Sequence, residues 1–281
     1  MTPTDTPADT ARHFRSLHEP GRPLVLPNAW DVASARLVEH AGAAAVATTS
    51  AGVSWGLGVP DSERLDRDRA LDLIARVVAA VRAPVTADVE GGYAEKPADV
   101  AETVRGVLAA GAVGVNLEDA DHGGPGPLRS VAAQSERIAV ARQAADAEGV
   151  PLFINARVDT YLSAVGEAGD LLAATLDRAR AYVGAGADGI FVPGVTDPVI
   201  VSALVDGIDV PVNVMTGPGA PAIAELAGLG VARISVGSAI AQAAYAVVRR
   251  SAQELLSAGT YAALSDALDF ADVNALLRTD R

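Results

Sequence analysis

The sequence contains no cysteine, and Lys96 is its only lysine. Without cysteine the chain cannot form disulfides, thiolate metal sites or a cysteine nucleophile. The single lysine stands beside Pro97 in a predicted loop, which argues against a Schiff-base enzyme, because that chemistry needs a lysine inside the active site. The chain also lacks a signal-peptide pattern and an apolar run of transmembrane length, so we expect a cytoplasmic protein.

Positive charge is scarce as well. The 281 residues include 35 acidic side chains and 22 of lysine or arginine, which gives a formal net charge of -13 at pH 7. Such a charge repels nucleic acids and anionic membranes, so we expect neither as a partner. A small anionic substrate would therefore need positive charge close to where it binds.

The chain does have a regular alternation of short apolar runs and longer stretches with helical spacing. We predict strands at residues 24–28, 44–49, 84–90, 113–118, 152–157, 188–193, 211–215 and 232–236. Eight strands that alternate with helices, with no linker between them, favour a single (β/α)8 TIM-barrel domain over residues 1–281. An open doubly wound sheet is the alternative.

Two segments fall outside this repeat of strands and helices. A helix is predicted near residues 8–17, and residues 238–281 are predicted to form a C-terminal helical region. The apolar side chains of that region could cover the bottom of their own barrel or contact another subunit. The sequence leaves both possibilities open.

Acidic residues stand at the carboxyl ends of two neighbouring predicted strands, where barrels place their working residues. Asp88 and Glu90 are alternate residues of the third strand, so they are predicted to share one face, and Glu118 ends the fourth strand. Three converging carboxylates predict a pocket for Mg²⁺, with Mn²⁺ as a substitute. The alternative is a set of rim charges that pair with arginines or cap helices.

The ordered motifs at the strand ends resemble the isocitrate lyase and phosphoenolpyruvate mutase superfamily over about residues 26–237. The matching segments are Pro27-Asn-Ala-Trp-Asp31, Thr49-Ser-Ala-Gly-Val53 followed by Pro60-Asp61, Ala87-Asp-Val-Glu-Gly-Gly-Tyr93, Asn116-Leu-Glu-Asp119 and Ile154-Asn-Ala-Arg-Val-Asp159. The resemblance implies a magnesium-dependent enzyme that makes or breaks a carbon-carbon or carbon-phosphorus bond beside a 2-oxo or 2-hydroxy carboxylate, through an enolate. It also implies a homo-oligomer, a tetramer or dimer, often with a C-terminal helix exchanged between barrels.

The resemblance implies roles for the matched positions. Asp88, Glu90 and Glu118 correspond to the metal shell, and Asp61 to an acid that supports the metal and the substrate-binding loop. Arg157 corresponds to the arginine that balances the negative charge of the substrate, and a guanidinium suits a carboxylate.

Other matched positions lie on the substrate side. Ser50, Ala51 and Gly52 correspond to a turn whose backbone N–H groups bind the substrate carboxylate or oxyanion. Asn213 and Thr216 correspond more loosely to residues that recognise the distal part of the substrate. Trp30 is a further candidate for substrate contact, with packing as its alternative role.

Departures from the superfamily pattern narrow the reaction. Isocitrate and methylisocitrate lyases carry a Lys-Lys/Arg-Cys-Gly-His loop with a cysteine acid, and the phosphonopyruvate branch carries a lysine and an asparagine there. This chain has neither in its loop, which reads Asp119-Ala-Asp-His-Gly-Gly-Pro-Gly-Pro-Leu128. A lyase or decarboxylase of a 2-oxo or 2-hydroxy acid, acting through a metal-bound enolate, is then the expected function.

The proton donor of that reaction is open between His122, Tyr93 and water. Of the four histidines, only His122 lies in a predicted rim loop, and imidazole titrates near neutral pH. The glycines and prolines around it are typical of a lid. The alternative is a solvated loop histidine without a role.

Three other functions stay as alternatives. One is phosphoenolpyruvate mutase or phosphonopyruvate hydrolase chemistry. Another is a metal-dependent aldolase that binds phosphate through the glycine-rich loops at residues 217–221 and 237–239. The third is a catalytically silent barrel that binds an organic acid.

Overall fold

A computed structural model describes residues 6–165 and 169–278. Its strands form one parallel sheet in the order β1-β9-β8-β7-β6-β5-β4-β3-β2. The strands are β1 (Leu24–Leu26), β2 (Asn28–Ala29), β3 (Val46–Thr48), β4 (Val85–Asp88), β5 (Gly114–Glu118), β6 (Phe153–Arg157), β7 (Gly189–Val192), β8 (Val212–Met215) and β9 (Arg233–Ser235).

The sheet closes because the first predicted strand is divided in two at Pro27. β1 pairs with β9, and β2 pairs with β3. Proline has no N–H for a sheet ladder, so Pro27 is a natural place for the strand to change partners. The predicted TIM barrel and its eight strand positions are confirmed, and the open sheet is excluded because first and last strands are neighbours.

The described helices lie before, between and after the strands. They are α1 (Pro7–Ser16), α2 (Val32–His40), α3 (Ser50–Gly56), α4 (Arg67–Ala80), α5 (Val100–Ala109), α6 (Val131–Ala147), α7 (Leu171–Gly184), α8 (Pro198–Gly207), α9 (Ile223–Gly228), α10 (Ala239–Ser257) and α11 (Phe270–Leu277). In α4 the buried residues Ala70, Ile74 and Val77 recur at helical spacing and form one apolar face. None of the described helices is long and apolar enough to cross a membrane.

Helix α1 closes the amino-terminal end of the barrel. Phe14 is fully buried and meets the ring of Phe153 edge to face, while His18 stacks on Phe153 with ring centroids 4.0 Å apart. A Cβ on Gly114 would lie 2.7 Å from the Phe14 ring, and one on Gly189 would lie 3.0 Å from the Phe153 ring. Both glycines therefore make room for this aromatic plug inside the barrel.

The C-terminal helices leave much apolar surface uncovered. Helix α11 lies against α2, where Arg36 Nε donates a 2.9 Å hydrogen bond to the Leu276 carbonyl. Leu256 and Phe270 are nevertheless 89% and 84% exposed in the single chain. Within the region predicted to be helical, residues 238–281, the structure has α10, a short 3-10 turn at Ala262–Leu264 and α11, with non-helical residues between them.

Candidate active site

The candidate site lies at the carboxyl ends of three consecutive strands, as the barrel rule requires. Asp88 ends β4, Glu118 ends β5 and Arg157 ends β6. Strand pairing sets Glu118 beside Arg157. The fold thus brings the predicted carboxylates and the predicted arginine to one rim.

Glu90 lies at this rim but, contrary to the prediction, it is not part of the strand that ends at Asp88. Strand β4 ends at Asp88, and Glu90 has a left-handed backbone with φ of 49°, so strand alternation does not align the two side chains. Its carbonyl still accepts from the Glu118 N–H at 2.9 Å. Non-glycine residues in this conformation cost of order 1 kcal/mol or more, and such strain concentrates at functional sites.

Two residues fix the Glu90 carboxylate. The Tyr93 hydroxyl donates to Oε1 at 3.1 Å, and the Glu63 N–H donates to Oε2. Glu63 in turn accepts from the Tyr93 N–H at 2.9 Å. Burial and nearby carboxylates raise the pKa of Tyr93, so its hydroxyl stays protonated near neutral pH and acts as the hydrogen-bond donor to Glu90.

The site concentrates negative charge in a poorly solvated place. Burial raises the pKa of Glu90 to about 8, and the charges of Asp61, Asp88 and Glu118 add to the effect. Burial, followed by the charge of Asp88, raises the pKa of Asp61. Burial also raises the pKa of Glu118, although Arg157 and His122 oppose it. A bound cation would relieve this repulsion.

The donors at the site fit a divalent cation. Asp61 Oδ1 and Asp88 Oδ1 are buried without a hydrogen-bond partner among the described residues. Glu90, Glu118 and His122 each offer a ligand atom within 4.8 Å of the others. Carboxylate oxygens are the donors that Mg²⁺ prefers, so the acids suit it better than the imidazole does. The tight trio contains two of the three predicted ligands, with His122 in place of Asp88.

Arg157 is held by two carboxylates. Its Nη1 lies 2.6 Å from Glu118 Oε2, and its Nε donates to Asp159 Oδ1 at 2.7 Å. Burial lowers its pKa, but the charges of Glu118, Asp159 and Asp88 outweigh burial and raise that pKa. The structural pairing that the sequence left open is therefore present. Within the described residues Nη2 has no protein partner, so one edge of the guanidinium is available to a substrate.

His122 enters the site from the loop after β5. Its Nε2 lies 2.6 Å from Glu118 Oε1, and this hydrogen bond is the main cause that raises the pKa of His122. The loop is closed by bonds from the Asp121 N–H to the Pro127 carbonyl and from the Arg129 N–H to the Asp119 carbonyl. His122 is thus a partly buried neighbour of a predicted metal ligand, unlike a freely solvated histidine.

The predicted oxyanion turn forms the start of α3, but one of its amides is already used. The Ser50 N–H donates to Asp88 Oδ2 at 3.0 Å, which leaves the Ala51 and Gly52 amides for a ligand. A Cβ on Gly52 would lie 2.8 Å from Trp30 Cβ. Gly52 therefore permits close packing on Trp30, and the packing role of Trp30 is the one that its contacts support.

The two residues predicted to recognise the distal part of the substrate lie in different places. Asn213 is 1% exposed, and its amide bonds to Asn155, Ser235 and backbone carbonyls inside the barrel. Those bonds leave it no free donor for a substrate. Thr216 is partly exposed after β8, and its N–H donates to the Ser235 carbonyl at 2.8 Å.

The strand-end rule misses two residues. Glu63, with φ of 55°, links Tyr93 and Glu90 as described above. Arg233 lies fully buried inside the barrel at the start of β9. Among residues 6–165 and 169–278, only its Nη2 has a hydrogen-bond partner, Asn116 Oδ1 at 3.2 Å. A charged residue within the apolar run at residues 231–236 was the available signal.

Known proteins resemble this chain over most of its length. The profile of the phosphoenolpyruvate phosphomutase family matches residues 14–256. An uncharacterized protein of Mycobacterium tuberculosis is 40% identical over 225 residues, 80% of this chain and 81% of its own length. The 2-methylisocitrate lyase of Escherichia coli is 31% identical over 212 residues, 70% of each chain.

Solved structures show the same barrel. A proposed lyase/mutase from Burkholderia cenocepacia is 41% identical, with a TM-score of 0.90 over 98% of this chain and 97% of its own. A phosphonopyruvate hydrolase solved with oxalate and Mg²⁺ is 24% identical, with a TM-score of 0.82 over 95% and 94%, and shares the fold.

Proposed function

We propose that this protein is a magnesium-dependent lyase or decarboxylase. The chain belongs to the phosphoenolpyruvate phosphomutase family of the isocitrate lyase and phosphoenolpyruvate mutase superfamily. Its substrate would be a 2-oxo or 2-hydroxy carboxylic acid, cleaved at a carbon-carbon bond through an enolate. The resemblance predicted from the motifs is confirmed at the level of the family. The observation that carries the proposal is the set of carboxylates at the rim, of which Asp61 and Asp88 each have a buried oxygen without a hydrogen-bond partner in the described part of the chain.

The cation would be held by the acids that converge on the rim, which are Asp61, Asp88, Glu90 and Glu118. The donor chemistry of these acids supports this set. A phosphonopyruvate hydrolase of the same fold was solved with Mg²⁺ and oxalate, which supports a cation in such a barrel. When bound, Mg²⁺ supplies Lewis-acid stabilisation of negative charge on substrate oxygens. It also reconciles an acidic site with an acidic substrate.

Arg157 would bind the substrate carboxylate. Glu118 and Asp159 hold its guanidinium in one orientation, so little conformational entropy is lost when Nη2 meets an anion. The amides of Ala51 and Gly52 would face the oxygen on which charge develops. One well-placed donor of this kind lowers a barrier by about 3 to 4 kcal/mol.

His122 would supply the proton that the enolate carbon needs after bond cleavage. Its hydrogen bond to Glu118 raises its pKa, so a larger fraction is protonated near neutral pH than for a free imidazole. Tyr93 is the second candidate, because its hydroxyl is kept protonated beside Glu90. Its bond to Glu90 favours a supporting role over proton transfer.

Carbon-phosphorus chemistry and a silent organic-acid barrel have less support. The loop from Asp119 to Leu128 holds neither lysine nor asparagine for a phosphonyl group. A barrel without catalysis has no physical need for four carboxylates in a desolvated cluster, which costs free energy to maintain.

We also propose that the chain forms a homo-oligomer through its C-terminal helices. Large apolar side chains are exposed along this region, namely Ile240, Tyr245, Val247, Val248, Leu255, Leu256, Tyr261, Leu264, Leu268, Phe270 and Leu277. Exposed apolar surface of this extent marks interfaces in soluble proteins. Light scattering should give a dimer or tetramer, and a monomer at micromolar concentration would contradict the proposal.

A panel of 2-oxo and 2-hydroxy dicarboxylates, followed by NMR with Mg²⁺ and with a chelator, tests the function directly. Cleavage of at least one acid with Mg²⁺ or Mn²⁺, and no cleavage in chelator, is the expected result. Full turnover in chelator would overturn the metal dependence. Mg²⁺-dependent oxalate binding without cleavage of any acid would favour the silent barrel.

A further inference from the structure

The guanidinium of Arg233 occupies the middle of the barrel. The side chain starts from β9 and donates from Nη2 to Asn116 Oδ1 on β5, a strand that is not adjacent to β9 in the sheet. Arg233 must therefore span the interior to make this bond. It is 1% exposed, and its Nε and Nη1 have no hydrogen-bond partner among the described residues.

Positions along β5 locate this guanidinium between the aromatic plug and the candidate metal site. Gly114 lies against the Phe14 ring, Asn116 binds Arg233, and Glu118 ends the strand at the rim.

On the plug side, burial, followed by the charge of Arg233, lowers the pKa of His18 to about 3. On the rim side, burial lowers the pKa of Arg233 to about 9, and Asp88 is the acid whose charge opposes that change. Asp88 and Asn116 are register partners on the neighbouring strands β4 and β5. The guanidinium that is bonded to Asn116 therefore lies close to Asp88, below it inside the barrel.

A purely structural role explains Arg233 poorly. Burying an unpaired charge costs several kcal/mol, and none of the ion pairs in residues 6–165 and 169–278 includes Arg233. A methionine would fill the same space without that cost. The acceptor Asn116 Oδ1 is also shared, since it takes a 2.8 Å bond from Asn155 Nδ2.

Asp88 is the group that benefits from a positive charge below it. Its Oδ2 accepts from the Ser50 N–H, while its Oδ1 is buried with no hydrogen-bond partner within the described ranges. Its carboxylate stands close enough to Asp61 and Glu90 to raise the pKa of both. Without a nearby cation, repulsion from these acids favours rotation of Asp88 away from them.

We propose that Arg233 is a positioning residue that holds Asp88 in place from inside the barrel, with Oδ2 on the Ser50 amide and Oδ1 directed to the cation site. This inference rests on the proposed metal-dependent function. Arg233 itself is buried beneath the site and touches neither metal nor substrate. Its effect on chemistry passes through Asp88.

The test measures Mn²⁺ binding by electron paramagnetic resonance, which needs no substrate. Arg233→Gln removes the charge but keeps a donor for Asn116, and should weaken Mn²⁺ binding by about tenfold or more, the usual effect of losing an outer partner of a metal ligand. Arg233→Lys keeps the charge and should bind within about threefold of the native protein. Arg142→Met is the matched control, since Arg142 pairs with Asp188 at the opposite end of the barrel and should not alter binding.

A crystal structure of the Arg233→Gln variant gives a second readout that is independent of metal. Displacement of the Asp88 carboxylate from the Ser50 amide is the expected result. Native Mn²⁺ affinity together with an unmoved Asp88 would overturn the inference and leave the proposed function intact. If the native protein binds no Mn²⁺, the metal function fails, and the position of Asp88 in the variant alone decides whether Arg233 positions it. Should Arg233→Gln not fold, Arg233→Met receives the same two measurements.

Discussion

Glu118 and Arg157 are register partners on β5 and β6, and their side chains form an ion pair of 2.6 Å between Oε2 and Nη1. The pair is largely buried, with Asp159 on the other side of the guanidinium. Arg157 therefore has two roles at the rim. It neutralises acids of the protein, and it offers its remaining edge to an anion.

Arg157→Ala should abolish most activity and also reduce stability. Turnover should fall by at least about 100-fold, since the substrate carboxylate loses its positioning contact. The free energy of unfolding should fall by roughly 3 kcal/mol, because Glu118 and Asp159 are left buried without a partner. Steady-state kinetics and urea denaturation give the two values. Arg76→Ala, in an exposed pair with Asp72, is the control and should change neither, whereas an active Arg157→Ala enzyme would remove the proposed role.

Most of the barrel could be predicted from the sequence because each strand is a short apolar run with a sharp end. The run predicted at residues 113–118 is observed as Gly114–Glu118, and that at 152–157 as Phe153–Arg157. A parallel barrel then places all strand ends on one rim. Asp88, Glu118 and Arg157 could therefore be grouped from the sequence alone.

The rest depends on local conformations that periodicity does not encode. Glu90 itself has a left-handed backbone conformation, and the alternation of residues along a strand does not predict it. His122 meets Glu118 because its loop closes on itself. Asn213 and Arg233 point into the barrel, where hydrogen bonds between non-adjacent strands fix them. Such contacts depend on how all the strands pack around the barrel interior, which local sequence patterns do not show.

Asp88→Asn should abolish Mg²⁺-dependent binding of oxalate, an enolate mimic. The substitution removes one negative charge and replaces a ligand oxygen by an amide, so the cation loses a preferred donor. Calorimetry with and without Mg²⁺ measures the effect. Asp72→Asn, an exposed acid on α4, is the matched control and should bind oxalate normally. Unchanged binding by Asp88→Asn would exclude Asp88 from the metal site.

His122→Gln should slow turnover by about 100-fold or more, the usual contribution of a positioned general acid. Because Glu118 raises the pKa of His122, the native rate should decline with rising pH only above the ordinary imidazole value of about 6.5. That decline should disappear in the variant, while Mn²⁺ binding persists. His40→Gln on the exposed end of α2 is the control. Undiminished turnover in His122→Gln would discard the proposed donor.

Gly114→Ala should destabilise the fold by about 1 to 3 kcal/mol, the usual effect of overpacking a core. The added Cβ would lie 2.7 Å from the Phe14 ring and 2.8 Å from Thr86 Oγ1, so the plug must shift. Gly184→Ala, at the end of α7 with nothing within 4 Å of the new atom, should instead stabilise slightly. Urea denaturation of both variants measures the difference, and equal effects would contradict the tight fit of the plug.

Glu90 should make the stability of the metal-free protein fall as pH rises. Burial raises its pKa from 4.5 to about 8, so between these values the folded chain holds a proton that the unfolded chain releases, and the free energy of unfolding decreases with pH. In Glu90→Gln the free energy of unfolding should decrease less between these pH values, by roughly a few kcal/mol. Part of the decrease should remain, because the pKa values of Asp61 and Glu118 are also raised.

Urea denaturation at about pH 5 and about pH 8, in chelator and then with Mg²⁺, checks the expectation for Glu90. Saturating Mg²⁺ should stabilise the native protein more at the higher pH, because a cation binds the ionised acids. The exposed Glu136 supplies the matched Glu136→Gln control, which should keep the native slope. A slope that Glu90→Gln does not change would show that Glu90 is ionised across this range, and the repulsion argued for the empty cluster would then be too weak to demand a cation.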